Sequence, residues 1–206
     1  MERSIGDLDV DALAEAYRDS APFYPVEEEA IGSLSKAFRE GEYGKRDVEW
    51  VVRWYFRRRV EAIDQAERRA VESAVANADR TETRGRLWDA IDALDGVDET
   101  GSPAAAGSPP HHRALDALTR IPGVDVAVGS AFLWFLEPDR HFVLGDREWE
   151  VVAALGYVKN PYPDAPTVDD YDRYLDAVRA VASDLDVDHW RLYQTIQQVY
   201  VEEFNG

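Results

Sequence analysis

LTRIPGVDVAVGSAFLWFLEPDRHFVLGDREW, residues 118–149, holds the chain's sharpest turn signals and its longest apolar helix. Pro122 cannot donate a backbone hydrogen bond and disfavours helix at Ile121, while Gly123 accepts dihedrals that other residues avoid. A helix therefore ends before Ile121-Pro122-Gly123-Val124, and the next begins just after it. Two helices joined by so short a turn lie close, and Ala127, Gly129, Ser130 and Ala131 supply the small side chains that let them approach. Pro138-Asp139 breaks the second helix. An apolar run, Phe142-Val143-Leu144, leads into Gly145-Asp146, where a third helix starts.

Outward from this stretch the apolar residues recur at helical spacing. Toward the N-terminus, Leu13, Ala14 and Tyr17 share one face of a short helix that the turn Pro22-Phe23-Tyr24-Pro25 ends. Ala30, Leu34 and Phe38 mark a second, stopped by Gly41 and Gly44. Asp47 is expected to cap the next helix, whose inward stripe is Val48, Val51, Val52, Tyr55 and Ile63. Trp50 and Trp54 lie one turn apart on it, beside the densest basic cluster of the chain, Arg53, Arg57, Arg58 and Arg59. Those arginines read in two ways: paired with Glu49, Glu61 and Asp64 along the helix, or as a positive patch with flanking tryptophans suited to phosphate contact and base stacking.

Residues 66–78 continue as helix. Thr83 is expected to open another, with Leu87, Ile91 and Leu94 inward and Gly96 as its stop. Residues 97–110 carry Gly101-Ser102-Pro103 and Gly107-Ser108-Pro109-Pro110 and read as a flexible loop. His111 and His112 then precede a helix over 113–119; with no carboxylate or cysteine at ligand spacing, they read as helix-start residues and no metal site is assigned. Beyond the central stretch, residues 157–166 form a loop with three prolines. Asp169 or Asp170 starts a helix with Tyr174, Leu175, Val178 and Val181 inward, and Asp188 starts the last, carrying Trp190, Tyr193, Ile196, Gln197 and Tyr200. No segment alternates as a strand, so the fold class is all-α in one domain spanning 1–206.

The 206 residues include 41 acidic and 23 basic ones, for a formal net charge of -18, and only three lysines, Lys36, Lys45 and Lys159. An acidic, lysine-poor surface stays hydrated in molar salt, and the composition predicts a halophile's cytoplasmic protein; a basic partner is the rival explanation. Negative net charge does not exclude nucleic acid under such conditions, since the Debye length falls to about 3 Å at 1 M salt. The absence of cysteine excludes disulfides, thiol catalysis and a four-cysteine iron–sulfur cluster. No apolar run approaches the roughly 20 residues of a membrane span, and the N-terminus lacks the order of a signal peptide.

The central stretch resembles the helix-hairpin-helix of the base-excision DNA glycosylases, the superfamily that includes endonuclease III, the adenine glycosylase and the alkylbase glycosylases. Ile121-Pro122-Gly123-Val124 matches the hairpin. Residues 142–147, Phe-Val-Leu-Gly-Asp-Arg, and the closing Leu155-Gly156 match the segment beyond it in spacing. The resemblance implies a two-lobed helical fold with its helix-hairpin-helix at 111–156, and DNA as the partner. It also implies backbone amides after the turn that hold a phosphate, with turn carbonyls holding a monovalent cation. The DNA-contacting residues are then Pro122, Gly123, Val124, Gly129 and Ser130, with Arg57 and Arg58 as the candidate basic patch.

The chain departs from the family where the chemistry resides. Asp125 replaces the hairpin's second glycine and brings a carboxylate toward the phosphate, though it also suits the N-cap of the following helix. Ala127 stands where bifunctional members carry a nucleophilic lysine. Gly145 stands where the catalytic aspartate belongs, and the nearest carboxylate, Asp146, is one residue on, about 100° around a helix. Asp146 is the catalytic candidate, and an N-cap is the structural account of the same residue. The expected function is a DNA-associated relative of the repair glycosylases with doubtful catalysis; the alternatives are a helical protein-binding or scaffold protein and a monofunctional glycosylase using Asp146.

Overall fold

In the computed structural model, which describes residues 4–58, 65–96 and 107–204, the chain forms ten α-helices, and no strand occurs among those residues. By their contacts they divide into two compact units. One is discontinuous, Met1–Leu34 with Glu137–Gly206, and the other is Ser35–Leu136. The second unit thus lies within the chain and the first is closed by its two ends.

The discontinuous unit contains α1 (Val10–Ser20), the start of α2 (Tyr24–Arg39), α8 (Asp146–Ala154), α9 (Val168–Leu185) and α10 (His189–Phe204). α10 packs on α1 and α8. Its aromatic core joins the elements: Trp149 of α8 stacks on Tyr174 of α9 at 5.6 Å, and Phe142 meets Tyr174 and Tyr193. Residues 142–144 form no strand. They are buried, and the Tyr174 hydroxyl donates to the Val143 carbonyl at 3.1 Å, so a side chain supplies what a neighbouring strand would. Buried Glu27 accepts the Tyr17 hydroxyl at 2.6 Å.

The continuous unit holds the end of α2, then α3 (Lys45–Arg57), α4 (Gln65–Asn77), α5 (Arg80–Leu94), α6 (Pro110–Leu118) and α7 (Val126–Leu136). α7 has no charged residue in VAVGSAFLWFL and is buried on every side, as an all-apolar helix must be. Trp54 of α3 packs on Trp134 and Phe135 at 5.3 and 4.7 Å, and Trp50 meets Phe135 at 5.4 Å. The two tryptophans of α3 therefore face α7. A fully buried side chain such as Phe135 stabilises by about 1.5–3 kcal/mol, whereas Trp50 is half-buried. The last carbonyl of α7, Leu136, accepts the Ser35 hydroxyl at 2.7 Å.

Several helix starts differ from the sequence expectation, most of them through a cap. α2 takes in Tyr24 and Pro25, because proline is tolerated in a first turn. α3 starts at Lys45 with Gly44 as N-cap; Asp47 lies inside the first turn and reaches back to the Gly44 amide at 2.7 Å. α5 starts at Arg80, because Asp79 accepts the Glu82 amide at 2.8 Å, not at Thr83. α9 starts at Val168, where Thr167 and Asp170 cap each other reciprocally. The inward stripes hold for Val48, Val51, Val52 and Tyr55 and for Leu87, Ile91 and Leu94. Ile63, Glu61, Asp64, Arg59 and residues 97–106 of the expected loop lie outside the described residues. No described helix is long and apolar enough to cross a membrane.

Candidate nucleic-acid interface

The hairpin belongs wholly to the continuous unit. α6 ends with Leu118; the Ile121 amide donates to the Leu118 carbonyl and the Val124 amide to the Ile121 carbonyl, both at 3.0 Å. Gly123 has φ +86°, the left-handed conformation the sequence assigns to glycine. Pro122, Gly123 and Asp125 are exposed at the tip, while Val124 turns inward and is buried. Asp125 is the N-cap: its Oδ1 accepts the Val128 amide at 2.8 Å, and its carbonyl begins the helix by accepting the Gly129 amide at 2.8 Å. The carboxylate satisfies one of the orphan amides that would otherwise face a ligand.

Gly123 has a second constraint. A Cβ there would lie 3.0 Å from the Val71 carbonyl oxygen and 3.1 Å from the Ala74 Cβ, so α4 packs against one side of the turn. Gly129 and Ser130, expected at the DNA, are buried. Gly129 sits beneath Leu115, whose Cδ2 is 3.0 Å from where a Cβ would be, and the Ser130 hydroxyl donates to the Ala127 carbonyl at 2.6 Å. Gly129 lets α6 and α7 approach, and neither residue presents anything to solvent. Ala127 is buried as well.

The basic cluster of α3 divides. Arg53 pairs with Glu49 at 2.8 Å. Arg58 lies over the rings of Trp54 and Tyr55, at 5.1 and 4.7 Å from their centroids, and is half-buried. Arg57 is exposed. A cation stacked on aromatic faces in this way is fixed by its own unit, so of Arg57 and Arg58 only the former extends into solvent. His111 and His112 meet edge to face at 4.7 Å between ring centroids.

Asp146 belongs to the discontinuous unit. Gly145 is the N-cap of α8, and Asp146 is its first helical residue, half-buried, with Oδ1 accepting the Arg147 amide at 2.8 Å. The expectation that Asp146 itself caps the helix is corrected by one position; its carboxylate still occupies the first turn, where the helix dipole favours it. Arg147 lies over the Tyr200 ring at 4.9 Å. The carboxylate that sequence reasoning missed is Glu148, which is 0% exposed and receives a hydrogen bond from the Gln197 side chain to Oε1. The signal was available: Glu148 shares the inward stripe with Val151 and Val152, which lie three and four residues on.

Comparison with known protein families, with curated proteins and with solved structures finds no match to this chain.

Proposed function

We propose that this protein is a DNA-associated relative of the helix-hairpin-helix repair glycosylases, one that holds the sugar–phosphate backbone at the Ile121–Asp125 turn and lacks the family's chemistry. The observation that carries the reading is the turn itself: a left-handed Gly123 beside an exposed Pro122, joining two closely packed helices and leading into the N-terminus of α7. The division into a continuous and a discontinuous helical unit agrees with the two lobes expected of that fold. A monovalent cation at the turn would be held by the carbonyls of Leu118 and Ile121, each of which accepts one amide and keeps a second lone pair. A buried methyl, that of Ala127, and the N-cap Gly145 stand where the family's lysine and aspartate would be. A second reading, a helical protein-binding or scaffold protein, draws on the packing of α4 against Gly123 and on the carboxylate at the turn.

The test uses Asp125→Asn, which keeps the oxygen that caps α7 and removes the charge. A unit charge at about 4 Å in water is worth about 1 kcal/mol, so duplex DNA binding measured by anisotropy is expected to tighten about fivefold. Unchanged affinity removes the hairpin from DNA binding and favours the protein-binding reading. On a panel of damaged and mispaired duplexes, borohydride is expected to trap no covalent lysine intermediate, and base release stays at background. Robust release abolished by Asp146→Asn overturns the non-catalytic part.

A further inference from the structure

Within the continuous unit, the start of α3, the end of α4 and the start of α5 surround a cleft of about 400 Å³, counted to its open mouth. Its enclosed part is small and is walled by Tyr43, Val75 and Ala78; Lys45, Arg80 and Arg84 stand around it. Tyr43 is 9% exposed, and its hydroxyl is buried without a hydrogen-bond partner. The ring is fixed, edge-on to Phe38 at 5.1 Å and beneath the Arg84 guanidinium at 5.4 Å. Burial raises the phenol's pKa above its ordinary value, so it remains a donor. A buried hydroxyl that makes no hydrogen bond is destabilising, and Tyr43 is one of the residues that line the cleft.

The charges around the cleft have the matching sign. Among the described residues Arg80 has no hydrogen bond or ion pair, and Arg84 lies over the Tyr43 ring without an ion pair. The neighbouring acids are committed elsewhere. Asp79 caps α5, Glu82 pairs with Arg86 at 3.7 Å, Asp47 takes the Gly44 amide, and Glu49 takes Arg53 and Lys45. Lys45 also donates to the Ala76 carbonyl. In a chain with 41 acidic and 23 basic residues, two arginines one helical turn apart without an ion pair stand out beside this cleft.

We propose that this cleft binds one phosphate group, an oxygen of which accepts the Tyr43 hydroxyl while Arg80 and Arg84 neutralise its charge at the mouth. The donors differ from those of the hairpin, so the inference stands apart from the proposed function. The two sites are nonetheless neighbours along α4: Val71 and Ala74 pack against Gly123, and Val75, with Ala78 just past the helix end, lines the cleft about one turn further on. The phosphate can therefore belong to a nucleic-acid strand passing the turn or to a small free phosphate ester, and binding distinguishes them.

Two probes are titrated into the full chain at constant ionic strength: inorganic phosphate against chloride, followed by calorimetry, and labelled duplex DNA, followed by anisotropy. Tyr43→Phe keeps the ring and the net charge and is expected to weaken phosphate-group binding about tenfold, the loss of one charge-assisted hydrogen bond. Arg80→Ser with Arg84→Ser, both at exposed positions, is expected to weaken it further. Loss on the DNA titration alone, or on both titrations, assigns the phosphate to a nucleic-acid backbone; loss on inorganic phosphate alone assigns it to a free ester. Tyr43→Phe indistinguishable from the parent on both probes overturns the site, including where the arginine changes alone weaken DNA binding, since that reports diffuse charge. A response to Asp125→Asn with none to the cleft variants leaves the hairpin reading in place and removes this one.

Discussion

Alanine at Gly123 and alanine at Gly129 add the same methyl group to the same hairpin, and the structure predicts different outcomes. At Gly123 the backbone has φ +86°, which costs a residue with a Cβ about 1–2 kcal/mol. The methyl would also lie 3.0 Å from the Val71 carbonyl oxygen, part of the α4 backbone, and 3.1 Å from the Ala74 Cβ; neither is a flexible side-chain end. Overpacking against such neighbours costs about 1–3 kcal/mol. Gly123→Ala is therefore expected to lose about 2–5 kcal/mol, roughly 5–15 °C in Tm for a chain of this size. At Gly129 the closest atom is the Leu115 Cδ2 at 3.0 Å, the far end of a leucine, and the next is 3.8 Å away. There the gain of about 1 kcal/mol from replacing a helical glycine offsets the shift of that leucine, and stability is expected to stay within about 1 kcal/mol of the parent. Thermal unfolding followed by circular dichroism compares the pair. A Gly123→Ala protein as stable as the parent, or one no less stable than Gly129→Ala, refutes both the left-handed turn and its packing on α4.

Further outcomes are expected elsewhere. Hydrogen bonds from the Thr167 hydroxyl and amide hold the Asp170 carboxyl below its ordinary pKa, so this contribution is present above about pH 3.9 and lost as pH falls through the lowered folded value. Thr167→Ala is expected to cost about 1 kcal/mol at neutral pH; urea unfolding shows the deficit shrinking in acid, and a deficit independent of pH contradicts the cap. The hydrogen bond to Asp184 pushes the Tyr157 hydroxyl up to about 12, so that contact stabilises below the ordinary tyrosine value and is lost as pH rises through 12. Spectrophotometric titration should show one late-titrating tyrosine fewer in Asp184→Asn, and an unchanged titration curve rules the contact out. With a net charge of -18, helical circular dichroism is expected to fall as salt is withdrawn and acid–acid repulsion becomes unscreened; a signal insensitive to salt argues against a halophile's surface.

The sequence by itself determined the helices, and it did so most securely where one residue has few alternatives. Pro122 and Gly123 end α6 and turn the chain, an uncharged eleven-residue α7 is committed to the interior, and the stripes of α3 and α5 face inward as their spacing requires. Local rules also assigned Asp125 to a cap. They failed by one to three residues at α3, α5 and α9, because Asp79 and Thr167 compete with nearby polar residues for the same orphan amides, Gly44 caps α3 with no side chain at all, and spacing does not rank these outcomes. What a side chain faces depends on elements distant in the chain, and this only the tertiary structure decided. Gly129 and Ser130 follow the hairpin turn in sequence but are buried, Gly129 beneath Leu115 of α6. Arg58 belongs to a basic cluster in sequence but lies on two rings of its own helix. Glu148 carries a carboxyl group yet is buried against Gln197, 49 residues on. The cleft at Tyr43 was not legible for the same reason: its walls come from three helices, and the hydroxyl that lacks a partner is defined by what those helices do not supply.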